Sequence, residues 1–305
     1  RFINASSMTT FDVRIPGLPL SIVQADGNNV EPVNVDEFRI GLAETYDVIV
    51  TPQADTAYTI FAQAQDRSGY ARGTLSPRAG LAASVPPLDP RPLRTMADMG
   101  MGVGMTDMAK MPGMIHGAMN VPEQTDIPRI NADGIDPKSL LGRPNVDNMA
   151  MATSRRLAEP GTGLDGSRRR VLTYADLKSL EPTTSEGPPT REVEFHLTGN
   201  MERWVWGFDG KNFSEAEPVR IKLGERVRFV VINNTMMEHP IHLHGFFTTL
   251  ENGQGDHSPL KHTVNVKPGE KLGYVFTADT IGHWAFHCHL LYHMETGMFR
   301  TVLVA

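Results

Sequence analysis

Short segments in which apolar and polar residues alternate, separated by Pro, Gly, Asn and Asp, constrain the fold of this chain most strongly. Five such segments lie in the first eighty residues, at 11–15, 18–23, 37–41, 46–51 and 58–64. Alternation with a period of two places successive side chains on opposite faces of a strand. The pattern therefore predicts an all-β fold built from sandwiches of short strands.

The same pattern returns after Thr190. Apolar side chains alternate with Glu and His through residues 192–197, and with Arg and Lys through residues 219–223. This predicts a second sandwich. Within its first strand His196 falls on the polar face, so we expect this side chain to face solvent.

Residues 86–189 differ from both flanking regions because they combine Pro-rich joints, a Met-rich tract and a basic cluster at 168–170. We interpret them as an inter-domain connection, partly packed on the domains, with one short helix at 174–179. The predicted domains are then 1–85 and 190–305. Because the chain opens in a strand-like segment, we expect 1–85 to be the C-terminal part of a domain whose upstream portion is missing.

Charge and cysteine content exclude several classes of protein. A net charge of -6 and a pI near 6.0 offer no basic surface for nucleic acid. No apolar run reaches the roughly 18 residues of a membrane-spanning helix, so we predict no transmembrane segment. The single cysteine excludes an intramolecular disulfide, and its role must be judged from its neighbours.

Histidines are concentrated near the end of the chain, where nine of the eleven lie between His239 and His293. The segment 239–244 reads His-Pro-Ile-His-Leu-His. The segment 287–289 reads His-Cys-His and is followed by a histidine and a methionine. Imidazoles grouped around one thiol are typical of a metal site.

Strand alternation divides these side chains between two faces. One face offers a thiolate, two imidazoles and a thioether, namely Cys288, His239, His293 and Met298. The other face offers four imidazoles, namely His242, His244, His287 and His289. The first set is the ligand set of a blue electron-transfer copper. Zinc is the competitor, but structural zinc sites favour several cysteines, and the chain has no second one. Four imidazoles suit a second copper centre, and the peptide chain through Cys288 connects the two sites.

These motifs resemble those of the multicopper oxidases, whose H-x-x-H-x-H and H-C-H-x-x-x-H-x-x-x-x-M patterns match at every ligand position. Segments 36–39, 44–47 and 287–298, together with the Met tract, look like the copper-resistance subgroup of the CopA/PcoA type. The resemblance implies tandem cupredoxin-like Greek-key sandwiches joined by a long Met-rich irregular connection. It also implies three cupredoxin domains, of which this chain holds the later part of the second and all of the third.

The resemblance also implies a role for each ligand. Type 1 copper would be held by His239, Cys288, His293 and Met298. Type 2 copper would be held by His242, and the type 3 pair by His244, His287 and His289. Electrons would pass from Cys288 to its neighbours His287 and His289. The full-length protein would carry four copper ions, and a missing N-terminal cupredoxin domain would complete the trinuclear cluster.

A methionine tract places half of the 16 methionines in one short stretch: Met96, Met99, Met101, Met105, Met108, Met111, Met114 and Met119. Gly and Pro within this stretch oppose a stable core helix. Thioethers select Cu(I), so the tract indicates Cu(I) recruitment, with a flexible hydrophobic flap as the alternative. Met237 and Glu238, beside His239, are a second candidate docking point for Cu(I), with ordinary loop packing as the alternative. We also expect His262 to orient its neighbours through a hydrogen bond.

The function that these resemblances imply is a periplasmic copper-resistance oxidase. It would take single electrons from Cu(I) or a small phenolic donor and reduce O2 to water. A protein that sequesters copper without turnover is the alternative. A copper nitrite reductase is disfavoured because its relatives lack the second histidine of the His-Cys-His triplet, here His289.

Overall fold

The computed structural model describes residues 1–100, 129–183 and 187–305. The first eight strands form two four-stranded sheets, ordered β1-β6-β3-β4 and β5-β2-β7-β8. We call this unit the first sandwich. Its strands are β1 (Phe2–Ile3), β2 (Phe11–Arg14), β3 (Leu20–Ala25), β4 (Asn28–Val35), β5 (Glu37–Ile40), β6 (Thr45–Ile49), β7 (Tyr58–Ala64) and β8 (Tyr70–Leu75).

Aromatic side chains fill the space between these two sheets. The ring of Phe38 on β5 makes edge contacts with Phe2 on β1 and Tyr46 on β6, each with ring centroids 5.3 Å apart. Alternate apolar positions of β3, including Leu20 and Ile22, are fully buried. The alternating pattern of β3 thus corresponds to one inward face of that strand.

Two strands of the first sandwich, β4 and β8, were not predicted by the sequence. Each lies at the edge of its sheet. Strand β4 contains Pro32 and asparagines that are typical of turns, and the proline is tolerated because the pairing of β4 with β3 is interrupted there by a bulge between Ile22 and Gln24. Strand β8 is exposed over almost its whole length, so it shows no apolar alternation.

The second sandwich consists of a seven-stranded sheet, in which β11-β10-β13-β18-β15-β16 are neighbours and β9 also pairs with β10, and a five-stranded sheet ordered β12-β20-β19-β14-β17. Its elements are β9 (Arg129–Asn131), β10 (Arg191–Asn200), β11 (Val205–Phe208), β12 (Val219–Ile221), β13 (Arg226–Asn233), β14 (His239–Leu243), β15 (Thr248–Leu250), β16 (Leu260–Lys261), β17 (Thr263–Val266), β18 (Lys271–Thr277), β19 (Gly282–Cys288), α1 (Leu291–Glu295) and β20 (Phe299–Val304).

The core of the second sandwich lies between β10 and β13 on one side and β19 on the other. Phe286 on β19 packs against Phe195 and Phe229, with ring centroids 4.9 and 5.3 Å apart. This packing fixes β19, and with it Cys288, against the centre of the opposite sheet.

The prediction that His196 faces solvent is wrong. Strand β10 lies inside its sheet, and its residues from Glu192 to Gly199 are buried on both faces. The ring of His196 bonds the side chain of Asn234 through Nδ1 at 3.0 Å and lies 3.2 Å from the Glu194 carboxylate through Nε2. The polar face of this strand is therefore an internal hydrogen-bonded layer.

The described parts of the connection pack against both sandwiches. The amide of Leu172 donates to the carbonyl of Glu37 in the first, and the amide of Lys271 in the second donates to the carbonyl of Ser154. The helix predicted at 174–179 is a single 3-10 turn, Tyr174–Asp176. Within the residues described, no helix is long and apolar enough to cross a membrane.

Charged and polar side chains join the two sandwiches directly. The Tyr174 hydroxyl donates to Glu44 of the first sandwich at 2.6 Å and accepts from the amide of Asn265 in the second at 2.8 Å. The ammonium of Lys261 is completely buried between Asp26 and Glu44, at 3.0 and 3.1 Å. Buried ion pairs of this kind fix the relative position of the two sandwiches.

Candidate metal centre

The two histidine motifs lie on neighbouring antiparallel strands of the five-stranded sheet. His239 begins β14, and Cys288 ends β19. The register pairs Ile241 with Cys288 and His242 with His287. Since paired residues share a face of the sheet, this register places the His242 and His287 side chains together on one face and Cys288 on the other.

Three donor atoms meet on the inner face. The Sγ of Cys288 lies 3.6 Å from Nδ1 of His239 and 4.0 Å from Nδ1 of His293, and the two Nδ1 atoms are 3.2 Å apart. All three side chains are completely buried. His293 reaches the site because helix α1 begins directly after β19 and turns the chain back over Cys288.

Met298 is held beside this triad by backbone hydrogen bonds. The amide of Cys288 donates to the carbonyl of Met298 at 3.1 Å, and the amide of Met298 donates to the carbonyl of His293 at 2.8 Å. The Met298 side chain is completely buried. The backbone of Met298 thus lies beside Cys288 and His293, which is consistent with the predicted thioether ligand.

The protonation of the triad suits a metal. The hydroxyl of Thr235 donates to Oδ1 of Asn233 at 2.9 Å, so it accepts from Nε2–H of His239 at 2.7 Å, which leaves the Nδ1 lone pair facing Cys288. Nε2 of His293 is buried with no hydrogen-bond partner among the described residues, and burial lowers the pKa of His293 to about 3. Burial also lowers the pKa of His239. Both imidazoles are therefore neutral.

Burial has the opposite effect on the thiol, because it raises the pKa of Cys288. A thiolate is stable in this dry site only when a cation lies against it, and a coordinating metal deprotonates a thiol outright. The donor set thus fits a soft or borderline metal ion. A buried cysteine with a purely structural role does not require two neutral imidazoles whose Nδ1 atoms face its sulfur.

Four imidazoles meet on the opposite face of the same strands. Ring centroids are 4.7 Å apart for His242 and His244, 5.0 Å for His287 and His289, and 5.2 Å for His244 and His287. Burial lowers the pKa of His242 to about 3 and that of His289 to about 4. His244 is exposed, so the cluster opens at the surface of this chain.

A carbonyl group fixes the ring of His242. Its Nδ1 donates to the backbone oxygen of His262 at 2.5 Å, which leaves Nε2 as the free donor atom. The amide of His262 in turn donates to the carboxylate of Asp26 in the first sandwich at 3.1 Å. His262 thus orients a neighbour, as predicted: its backbone oxygen holds His242, and its ring Nδ1 lies 2.9 Å from the hydroxyl of Thr263.

Glu238 already has partners for both carboxylate oxygens. Oε1 accepts from Arg39 and Gln65, each at 2.8 Å, and Oε2 accepts from Asn265 at 2.6 Å. These contacts tie the residue that precedes His239 to the first sandwich. These contacts favour a structural role for Glu238 over binding of Cu(I). The thioether of the neighbouring Met237 then remains as the candidate ligand for Cu(I) in this segment.

A cavity of about 370 Å³ lies beside Met237 and Glu238, and its wall includes Met8, Gln65, Arg91 and Arg94. The guanidinium of Arg94 donates to the carbonyl of Met236. The segment that leads into the methionine tract thus runs along the rim of this cavity. Met96 is exposed and Met99 is half-buried. The other predicted methionines lie outside the described residues: Met101, Met105, Met108, Met111, Met114 and Met119.

Two residues beside the triad were not predicted. Thr235 bonds His239, and the indole of Trp206 stacks on His293 with ring centroids 3.8 Å apart. Thr235 lies in the loop before β14, and Trp206 lies on β11 of the other sheet. Neither position carries a sequence signal, because both contacts depend on tertiary packing.

Comparison with known proteins places this geometry in a family. Two multicopper oxidase models match, one over residues 1–79 and one over residues 186–305. Copper resistance protein A of Escherichia coli is 52% identical over 333 residues, which cover 100% of this chain and 55% of that protein. A homologue from Pseudomonas syringae pv. tomato is 51% identical over 100% of this chain and 54% of that protein. Multicopper oxidase MmcO of Mycobacterium tuberculosis is 28% identical over 98% of this chain and 44% of that protein.

Solved structures agree on the fold. Fet3p, a multicopper oxidase that functions in iron import, superimposes with a TM-score of 0.62 at 14% identity over 99% of this chain and 54% of that one. A laccase-like multicopper oxidase, CueO from Ochrobactrum sp., gives a TM-score of 0.57 at 16% identity over 99% of this chain and 54% of that one. The predicted all-β, cupredoxin-like fold is confirmed.

The chain belongs to the multicopper oxidase family, and copper is accordingly its cofactor. Within that family its sequence is most similar, among the relatives named here, to the copper resistance proteins. The chain spans about half the length of these curated relatives.

Proposed function

We propose that this chain is the C-terminal part of a periplasmic copper-resistance oxidase that takes single electrons from Cu(I) or a small phenolic donor and delivers them to O2. One observation carries the proposal. Cys288 lies in a buried site with two neutral imidazoles, while its two sequence neighbours lie in a separate imidazole cluster. A single tripeptide therefore joins a one-electron site to a second metal site.

In this proposal each ligand set has one role. Type 1 copper is held by His239, Cys288, His293 and Met298. Type 2 copper is held by His242, and the type 3 pair by His244, His287 and His289. Bound copper supplies one-electron chemistry by cycling between Cu(I) and Cu(II). His287, Cys288 and His289 form the covalent route between the two sites.

Burial gives the triad a second property. The side chains of His239, Cys288 and His293 are completely buried, and His239 and His293 are further fixed by Thr235 and Trp206. A rigid, water-free cage cannot rearrange much when the metal charge changes by one unit. Such preorganisation lowers the cost of each electron transfer.

The cavity beside Met237 is the proposed entry point for Cu(I). Met237 lines this cavity and comes shortly before His239 in the chain, so a Cu(I) ion bound by its thioether lies close to a type 1 ligand. Met96 and Met99 follow Arg94 of the cavity wall, and the sequence after them supplies further thioethers, which suits recruitment of Cu(I). Glu238 holds this loop in place through its ion pair with Arg39, which also balances the charge of the carboxylate.

The four-imidazole cluster needs further ligands to hold three copper ions. We propose that an N-terminal cupredoxin domain of the full-length protein supplies them and covers the exposed His244. The complete protein would then bind four copper ions, one at the type 1 site and three in the trinuclear cluster.

Oxygen uptake by the full-length, copper-loaded protein with Cu(I) as donor tests the proposal. The Cys288→Ser variant gives the background of spontaneous Cu(I) oxidation. We expect uptake well above this background, with water rather than hydrogen peroxide as the product. Tight binding of Cu(I) with uptake no faster than in Cys288→Ser would instead support the sequestering protein.

A further inference from the structure

Two tryptophans extend from the proposed type 1 site to the surface. Trp206 stacks on the ring of His293 at 3.8 Å, with 17° between the planes, and makes an edge contact with His239 at 5.5 Å. Only 1% of Trp206 is exposed. Trp204 makes edge contacts with Trp206 at 5.8 Å and with His293 at 6.0 Å, and it is 38% exposed.

The backbone holds Trp204 in a conformation that bulky residues rarely adopt. This residue ends the tight turn between β10 and β11, and its φ is +53°. A positive φ in a large side chain costs free energy and is kept where the surrounding structure imposes it. Here the result is an indole that stands at the surface beside helix α1, whose residues Leu291 and Tyr292 are also exposed.

The other imidazole of the site is closed to aromatic molecules. His239 is completely buried, and Nε2, the ring nitrogen on the side away from Cys288, is hydrogen-bonded to Thr235. The neighbouring cavity has a wall of charged, polar and aliphatic residues, among them Glu238, Arg91 and Leu290. None of the described residues that line this cavity is aromatic, so a phenol finds no stacking partner among them, whereas Trp204 offers an exposed ring in edge contact with His293.

From this arrangement we infer that Trp204 is the docking residue for phenolic donors, separate from the cavity proposed for Cu(I). This inference rests on the proposed function, because it assigns one of the two donor classes to its own surface. A phenol stacked on Trp204 loses one electron to the oxidised type 1 site and one proton to bulk water, and leaves as a phenoxyl radical. Trp206 and His293 provide the continuous ring contacts that this electron crosses.

Equilibrium binding separates docking from turnover. The full-length, copper-loaded protein is reduced under anaerobic conditions, so that it cannot oxidise a phenol, and a fluorinated phenol is titrated by fluorine NMR. Because Trp204→Ala removes one aromatic contact, we expect this variant to bind the phenol about threefold to tenfold more weakly. Trp204→Phe should retain most of the affinity. The matched control is Tyr70→Ala, because Tyr70 is also a half-exposed aromatic residue but lies in the first sandwich. Wild-type affinity in Trp204→Ala, or equal weakening in Tyr70→Ala, overturns the inference.

Anaerobic bleaching of the blue absorption distinguishes this inference from the proposed function. With 2,6-dimethoxyphenol as donor, Trp204→Ala should need a threefold to tenfold higher phenol concentration for half-maximal rate, about the loss of one aromatic contact. With Cu(I) as donor, the same variant should bleach at the wild-type rate. Equal slowing with both donors contradicts a dedicated phenol surface. A wild-type protein that neither donor bleaches contradicts the proposed function, while the NMR titration still decides whether phenols dock at Trp204.

Discussion

The hydrogen bond between His239 and Thr235 makes a quantitative test of the triad possible. Thr235→Val keeps the shape of the side chain and removes the hydroxyl that accepts from Nε2 at 2.7 Å. A buried donor left without an acceptor costs about 1–3 kcal/mol of unfolding free energy. The imidazole can avoid part of this cost by moving its proton to Nδ1, which faces Cys288 and must be free for a metal to bind.

Copper affinity should therefore fall together with stability. Removing an outer hydrogen-bond partner of a metal ligand typically weakens metal binding by about 10- to 100-fold. This range corresponds to about 1.4–2.8 kcal/mol, in agreement with the cost of the lost hydrogen bond. A competition titration of copper against a chelator, followed by the blue absorption, measures the affinity.

Thr59→Val is the matched control for this prediction. Thr59 is also buried, and its hydroxyl donates to the carbonyl of Ser84 at 2.9 Å in the first sandwich, away from the triad. Each variant should lose unfolding free energy in denaturant titrations, with a smaller loss in Thr59→Val because Ser84 is exposed and water can bond its carbonyl, but only Thr235→Val should lose copper affinity. Unchanged affinity in Thr235→Val, or an equal loss in Thr59→Val, would refute the reasoning.

Two further predictions concern stability. Lys261→Met leaves Asp26 and Glu44 buried without their cation, so we expect a loss of about 3–5 kcal/mol in denaturant titrations. Lys178→Met, which removes a surface pair with Glu31, should cost less than about 1 kcal/mol, and equal losses would contradict the prediction. The second prediction is that the metal-free protein loses stability on acidification. Because burial lowers the pKa of His293 to about 3, the unfolded chain takes up a proton between pH 6.5 and 3 that the folded chain does not. Stability should fall by about 1.4 kcal/mol per pH unit for each such imidazole as the pH drops below about 6.5. A pH-independent midpoint of denaturation over this range would contradict it.

Local periodicity was sufficient to predict how the thiol and the histidines divide between the two faces of the sheet. Strand alternation depends only on neighbouring residues, so it correctly separated Cys288 from His287 and His289. The same rule failed for His196, because alternation cannot reveal that both faces of β10 are covered. Polar residues on a central strand become internal when other parts of the chain supply their hydrogen-bond partners.

Long-range contacts account for most of what the sequence did not predict. Arg39 reaches Glu238 across 199 positions of the chain, and Asp26 reaches the amide of His262 across 236. Such contacts join the two sandwiches next to the proposed metal ligands, yet no local pattern marks them. Strands β4 and β8 were missed for a different reason, since edge strands need neither apolar alternation nor the absence of proline.

The optical spectrum of the copper-loaded, full-length protein tests the central claim most directly. If Cys288 supplies a thiolate to a copper held by His239 and His293, the wild-type protein should show an intense blue absorption. Cys288→Ser should lose that absorption while the rest of the protein remains folded. A Cys288→Ser protein that stays blue, or a wild-type protein that binds copper without any blue absorption, would contradict the assignment.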